Sequence, residues 1–164
     1  MPLISKRLLG FTVVAMFAAC GAQTPASPCG PASALVAAVT DGDTIVLEGG
    51  QKIRYLLVDT PEVSGGEECY GPEARELNRS LVLGKTIELR YDDKCTDRFD
   101  RTLAYVSVDG REVNRLLVER GFGCVLVLPP AGASRAEEFE SVAASAKAEG
   151  RGLWGFCSPS PCSN

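Results

Sequence analysis

The sequence contains no histidine. That absence excludes Ser-His-Asp and Cys-His catalysis, histidine-liganded zinc and any histidine general base. The chain also lacks an apolar run long enough to span a bilayer, a repeat period and a second compositional block, so its 164 residues read as one domain. Basic residues are in the minority: 17 Lys and Arg face 21 Asp and Glu, for a net charge of −4. Such a chain has no broad basic surface for gripping polyanions, although a small basic site inside a cleft is still compatible with it. Hydrophobic residues make up 45% of the chain, enough to fold most of it around a core. Any chemistry must come from carboxylates, arginine, tyrosine, thiols or a metal held by oxygen.

The N-terminus has the form of an export signal. Lys6 and Arg7 precede a mostly apolar run from Leu8 to Ala19, and the small residues Ala18, Ala19, Gly21 and Ala22 follow. Residues 1–22 are therefore expected to be a signal peptide, whose apolar core is too short for a membrane helix. Phe17-Ala18-Ala19-Cys20 resembles a bacterial lipoprotein cleavage box, with Phe17 where such boxes usually carry Leu. Lipidation at Cys20 with membrane attachment, and cleavage after Ala22, are both open. The chain is thus expected outside the cytosol: extracellular, periplasmic or anchored as a lipoprotein. Without Lys6 and Arg7, 15 of the 17 basic residues remain against 21 acidic ones, a mature charge of −6. Export also favours disulfides. Of seven cysteines, setting Cys20 aside leaves Cys29, Cys69, Cys95, Cys124, Cys157 and Cys162, enough for three bridges. None of them has zinc-finger spacing.

Residues 23–34 are rich in Pro, Ser, Gly and Ala and are expected to form a flexible linker; residues 158–164 read as a tail. Between them, residues 35–157 carry regular signals. Leu35 to Val39, Thr44 to Leu47 and Lys52 to Val58 read as strands, the last two joined at Gly49-Gly50. Pro72 opens a helix with Ala74, Leu77 and Leu81 on one face. Thr86 to Tyr91 and Leu103 to Val108 are strands around a charged loop. Val113, Leu116 and Leu117 mark a second helix that stops at Gly121. Cys124 to Leu128 reads as a short strand ended by Pro129-Pro130. Phe139, Val142, Ala143 and Ala146 fall on one face of a third helix, closed by Gly150. Antiparallel hairpins wrapped by a few helices predict an α+β chain, mainly β: a small barrel with helices appended.

Three polar clusters stand at strand ends and loops, where sites usually lie. They are Asp41-Gly42-Asp43-Thr44, then Arg54 with Asp59-Thr60-Pro61-Glu62, then Asp97-Arg98-Phe99-Asp100-Arg101. Each alone is ordinary, since Asp-Gly-Asp commonly makes a solvated turn and a lone arginine is commonly a surface charge. Together they supply hard oxygen donors suited to calcium and planar donors matched to phosphate. Glu62, three residues past Asp59, is placed to hold a water beside a phosphate.

These segments carry a resemblance. Thr40-Asp41-Gly42-Asp43-Thr44, Arg54 through Glu62, Tyr70-Gly71-Pro72-Glu73-Ala74, Thr96 through Tyr105 and Val113-Asn114 stand in the order and nearly the spacing of staphylococcal nuclease-like (thermonuclease) proteins. The match runs roughly from Ala37 to Trp154. The resemblance implies a five-stranded OB-fold β-barrel with three helices, and calcium-dependent cleavage of the P–O5′ bond in DNA and RNA that leaves 3′-phosphates. It implies that Asp43, Asp59 and the Thr60 carbonyl hold one Ca²⁺, that Glu62 handles the attacking water, and that Arg54 and Arg101 clamp the scissile phosphate. Arg98 and Phe99 would touch substrate. DNA and RNA are the expected partners, single strands favoured, for a chain acting as a monomer. Retention of all five acidic and arginine positions favours an enzyme over the alternative, a non-catalytic OB-fold module that binds nucleic acid or another partner.

Departures from the best-known member are local. Arg98 replaces Lys, Phe99 replaces Tyr, Asp100 replaces Gly, and Val127 falls at a base-stacking Tyr, all of which predict intact chemistry with looser substrate binding. Among the thiols, Cys69 before the first helix and Cys124 after the second are expected to pair across the barrel wall. Cys29 with Cys157 or Cys162 is the next expected pair.

Overall fold

The computed structural model describes residues 27–162. The expected signal peptide and Cys20 lie outside the described residues.

Five strands close a barrel. β1 (Ser33–Asp41) pairs antiparallel with β2 (Thr44–Leu47), which pairs antiparallel with β3 (Lys52–Tyr55). On its other side β1 pairs with β4 (Thr86–Arg90), and β4 pairs with β5 (Thr102–Val108). The ring closes where β3 and β5 run parallel, with Ile53, Arg54 and Tyr55 opposite Thr102, Leu103 and Ala104. A two-residue strand, β6 (Arg111–Glu112), extends β5 through the turn at Asp109-Gly110. The sequence accounts for the closure. In β4, Ile87 and Leu89 are buried while Thr86, Glu88 and Arg90 are exposed, the period-2 pattern of a strand with one face in a core. β5 is buried at six of its seven positions because helices cover its outer face. A closed ring leaves few free edges to aggregate.

Three helices pack outside. α1 (Gly71–Val82) begins with Pro72 in its first turn and buries Ala74, Asn78 and Val82 at i, i+4 and i+8. α2 (Val113–Glu119) buries Val113, Asn114, Leu117 and Val118. Asn114 is the polar tie between helix and barrel: its Oδ1 accepts from Val106 N–H at 2.8 Å, and its Nδ2 donates to the carbonyls of Leu56 and Ala104. α3 (Ala136–Ala148) lies on α2 and buries Phe139 and Ala146. A single further turn, α4 (Leu153–Phe156), follows Gly150. This is the expected α+β, mainly β, OB-type barrel with three principal helices.

Three expectations change. The third strand ends at Tyr55 rather than Val58, because Leu57 takes a left-handed φ of 63° and the chain turns out of the sheet. Cys124 to Leu128 is not a strand; Cys124 makes one isolated bridge to Asp59, and Leu128 makes another to Ala131. The expected Cys69–Cys124 bond is also absent. Cys69 pairs with Cys157, Cys124 with Cys162 and Cys29 with Cys95. The aromatic stack of Tyr70 on Phe122 and Phe156 draws the end of α4 to Cys69, which leaves Cys124 for the tail. On the N-terminal side, Tyr91 donates its hydroxyl to the Pro31 carbonyl at 2.7 Å, beside the Cys29–Cys95 bond.

Candidate active site

Arg54 is the hub. It stands in β3 with 4% exposure, and its Nη1 donates to the Tyr55 carbonyl at 2.9 Å and to the Val58 carbonyl. Those two bonds hold the turn that carries the chain from the barrel to Asp59. Nη2 of the same guanidinium meets Asp59 Oδ1 at 2.6 Å and Asp43 Oδ2 at 3.1 Å. Asp43 enters from the other side, just past the β1 end. Its Oδ1 accepts from the Thr44 hydroxyl and its Oδ2 from Thr60 N–H, both at 2.9 Å. Gly42 is required there, because a Cβ would stand 2.6 Å from Thr60 Oγ1.

Glu62 continues the acidic wall. Its N–H donates to Glu68 Oε2 at 2.9 Å, and its side chain hydrogen-bonds Asp41. Partial withdrawal from water, the bond to Asp41 and the charges of Asp41, Asp43 and Glu68 together push its carboxyl up to about 7. Burial likewise raises Asp41, and it raises Asp59 against the opposing pull of Arg54.

Arg101 stands immediately before β5, and the parallel β3–β5 pairing brings it to the same rim as Arg54. Its Nε and Nη2 both donate to Asp97 Oδ2 at 2.7 Å. Asp97 Oδ1 accepts from the N–H groups of Phe99 and Arg101, which folds residues 97–101 into a tight turn. Burial alone would raise Asp97, but the hydrogen bonds from Arg101 and Phe99 outweigh it and hold the carboxyl below its ordinary range. Phe99 is 62% exposed, with the guanidinium carbons of Arg98 and Arg101 at 4.6 and 5.3 Å from its ring centroid.

These groups meet in one cleft of about 450 Å³. Arg54, Asp59, Glu62, Arg98, Phe99 and Arg101, all anticipated from sequence, line it. Thr60 lines a smaller recess beside Asp59 and Glu62, and Asp43 a second one of about 250 Å³ that also contains Glu62 and Arg101. Lys94, Leu126 and Leu128 complete the cleft unanticipated. Val127, expected at a stacking position, packs against the core instead, because the loop presents residues 126 and 128. The Asp97 clamp was legible as a carboxylate four residues before an arginine; Lys94 had no signal beyond lying in a charged loop.

The donor set fits a hard cation. Asp41, Asp43, Asp59, Glu62 and Glu68 lie near enough to act on one another's charge, Arg54 pairs with Asp43 and Asp59, and every donor is oxygen. Thr60 Oγ1 is buried with no hydrogen-bond partner among the described residues. Among those residues no three metal-type side chains converge as a ready-made cage, so a cation would draw on backbone carbonyls and water beside Asp43 and Asp59.

The class of protein is a closed OB-type barrel with an acidic recess facing two guanidinium groups at its rim, donors whose planar shape matches phosphate oxygens. Comparison with known sequences gives the particular family: the chain belongs to the staphylococcal nuclease homologues, whose profile matches residues 52–155. It is 36% identical over 122 residues to endonuclease YncB of Bacillus subtilis (strain 168), covering 70% of this chain and 57% of that protein. It is 35% identical over 122 residues to the SPbeta prophage-derived endonuclease YokF of the same organism, covering 70% and 41%. A thermonuclease of Staphylococcus intermedius is 34% identical over 104 residues, covering 60% and 62%. The chain thus spans about half the length of the curated relatives it matches. The family match begins at Lys52, so the Asp41–Thr44 turn lies ahead of it.

Proposed function

We propose that this chain is a calcium-dependent nuclease that hydrolyses phosphodiester bonds of DNA and RNA at the P–O5′ bond, leaving 3′-phosphates. The observation that carries the reading is the convergence of Arg54, Asp59, Glu62 and Arg101 on one cleft. The endonuclease and thermonuclease names of its relatives point the same way.

Asp43 and Asp59, with the Thr60 carbonyl, would hold calcium, which supplies positive charge to the phosphate oxygens when bound. Glu62 takes a proton from the attacking water, whose oxygen forms the new P–O bond as the P–O5′ bond breaks and O5′ leaves as a hydroxyl, protonated from solvent. The raised Glu62 carboxyl suits that task, since a base near neutrality is poised to accept and release a proton. Arg101, oriented by Asp97, donates to the equatorial oxygens as charge builds on them. Arg54, whose terminal nitrogens are taken by Asp43, Asp59 and two carbonyls, keeps the two carboxylates in place from the cleft wall. Lys94 and Arg98 hold flanking phosphates, while Phe99, Leu126 and Leu128 offer apolar surface to bases, which favours single strands. The protein would act as an exported monomer, with residues 1–22 as its signal peptide and Cys20 as the point of lipidation if cleavage falls before it.

The test is digestion of single-stranded DNA and of RNA by the purified oxidised protein, with calcium and with a calcium chelator. Cleavage should appear with calcium, vanish with chelator and return when calcium is restored, and end-group analysis should find 3′-phosphates. Full activity in chelator overturns the calcium assignment; no cleavage of either substrate overturns the nuclease reading.

A further inference from the structure

None of the three disulfides lies within a barrel strand. Cys29 precedes β1, Cys157 ends α4 and Cys162 stands in the tail. Their partners occupy three of the loops that carry site residues, the Asp41–Thr44 turn being held by hydrogen bonds instead. Cys95 leads into the Asp97–Arg101 turn, and its carbonyl accepts from Leu103 N–H at 2.8 Å. Cys69 follows the loop in which Glu68 N–H donates to the Glu62 carbonyl while Glu62 N–H donates to the Glu68 carboxylate. Each of these three loops is therefore tied by one covalent bond to a segment near a chain end.

Cys124 comes nearest the chemistry. Its N–H donates to the Asp59 carbonyl at 2.7 Å, and its carbonyl accepts from Asp59 N–H at 2.9 Å. A Cβ on the preceding Gly123 would stand 3.1 Å from the Asp59 carbonyl oxygen, so the two backbones lie in close contact. Two and four residues further on, Leu126 and Leu128 wall the cleft. This segment is irregular and joins the Asp59 loop by one two-bond bridge, where an ordinary strand would have a full ladder. Something else must hold it in register, and the Cys124–Cys162 bond is the covalent restraint at that point.

We propose that the Cys124–Cys162 disulfide is a positioning device for Asp59: it fixes the backbone against which Asp59 is hung, and so fixes its carboxylate beside Arg54. Catalytic competence then depends on this bond, whereas the barrel, most of whose core residues come from its own strands and helices, does not. The inference rests on the nuclease reading above, in which Asp59 is a calcium ligand.

The test compares the oxidised wild type with the double variant Cys124→Ala/Cys162→Ala, which keeps the other two bonds. The variant should retain its far-ultraviolet circular dichroism while kcat falls about 10²-fold, since small misplacements at a reacting centre have that effect. Its calcium affinity by titration calorimetry should fall about tenfold, as for lost outer-sphere support of a metal ligand. A folded variant with unchanged kcat and calcium affinity overturns the proposal. Should the variant not fold, wild type is titrated with dithiothreitol, each bridge taking two electrons and two protons as the dithiol closes to its cyclic disulfide. Cleavage lost at lower reductant than the circular dichroism signal supports positioning; loss of both together overturns it. If oxidised wild type binds calcium without cleaving nucleic acid, the nuclease reading fails and the calcium titration alone decides the role of the bond. If it does neither, both fall.

Discussion

Arg101 is presented to the cleft by a carboxylate that takes two of its donors, which leaves the rest of its planar fork for a substrate oxygen. Arg101→Lys keeps the charge and loses that geometry. In comparable sites removal of one transition-state donor costs about 2.7–4 kcal/mol, or roughly 10²–10³ in rate. We expect the loss in kcat with little change in KM, measured by steady-state cleavage of a short single-stranded substrate; wild-type turnover would reduce Arg101 to a surface charge. Asp100, next to it, takes a φ of 61° with its side chain exposed. Left-handed backbone costs most L-residues roughly 1–2 kcal/mol, somewhat less for Asp, and glycine nothing. Asp100→Gly should therefore raise Tm slightly, corresponding to a net gain of about 0.5 kcal/mol after the extra freedom of the unfolded chain is subtracted. It should also lower KM for single-stranded DNA, by an amount that shrinks as salt screens the lost charge. A KM insensitive to the substitution at low salt would place the substrate path away from this turn.

At the scale of elements, the barrel and its helices were largely legible and the connections were not. Ile87 and Leu89 in β4, or Ala74, Asn78 and Val82 in α1, announce themselves through periods that depend only on local geometry. Nothing comparable marks the run from Cys124 to Leu128, which is apolar enough to look like a strand and is held out of the sheet by contacts with Asp59. For the same reason a strand register puts Val127 at a base-stacking position, whereas the loop turns 126 and 128 to the cleft. Disulfide pairing was illegible because the six cysteines sit in loops and chain ends, whose meeting is a tertiary fact. The candidate site was legible as a grouping, because Asp43, Arg54, Asp59, Glu62 and Arg101 cluster in three short motifs that the barrel brings to one rim. Asn114 shows what ties an element to the barrel. Asn114→Ala would strip partners from Val106 N–H and the Leu56 carbonyl, while the Ala104 carbonyl keeps Leu56 N–H at 3.0 Å. We expect a loss of roughly 3 kcal/mol, since buried groups left unpaired cost about 1–3 kcal/mol each. Urea denaturation with an unchanged m-value checks it; a loss under 1 kcal/mol would mean that water replaces the amide.

For the whole molecule, the acidic net charge and a basic cleft are compatible because screening at physiological salt acts over about 8 Å. Lys94, Arg98 and Arg101 are the cleft cations free to meet a polynucleotide, whereas Arg54 is committed to carboxylates. Three phosphate contacts on a single strand predict a slope of about −2 in log affinity against log salt, at roughly −0.7 per contact. Lys94→Ala should reduce the slope by about 0.7. Fluorescence anisotropy of a labelled oligonucleotide across a salt series, with a catalytically silent Glu62→Gln background, measures both. A slope near zero would mean that binding rests on the apolar wall.

The parallel pairing of β3 with β5 joins segments that are far apart along the chain, with α1 and β4 between them. Bringing such segments together is slow and entropically costly, because the intervening loop must be closed before any contact rewards it. Arg54 and Arg101 belong to those two segments. We expect this pairing to form late in folding and the candidate site to be complete only once the ring has shut, so that a chain caught part-way has no partial activity to misdirect and the onset of cleavage in a refolding experiment times the closure.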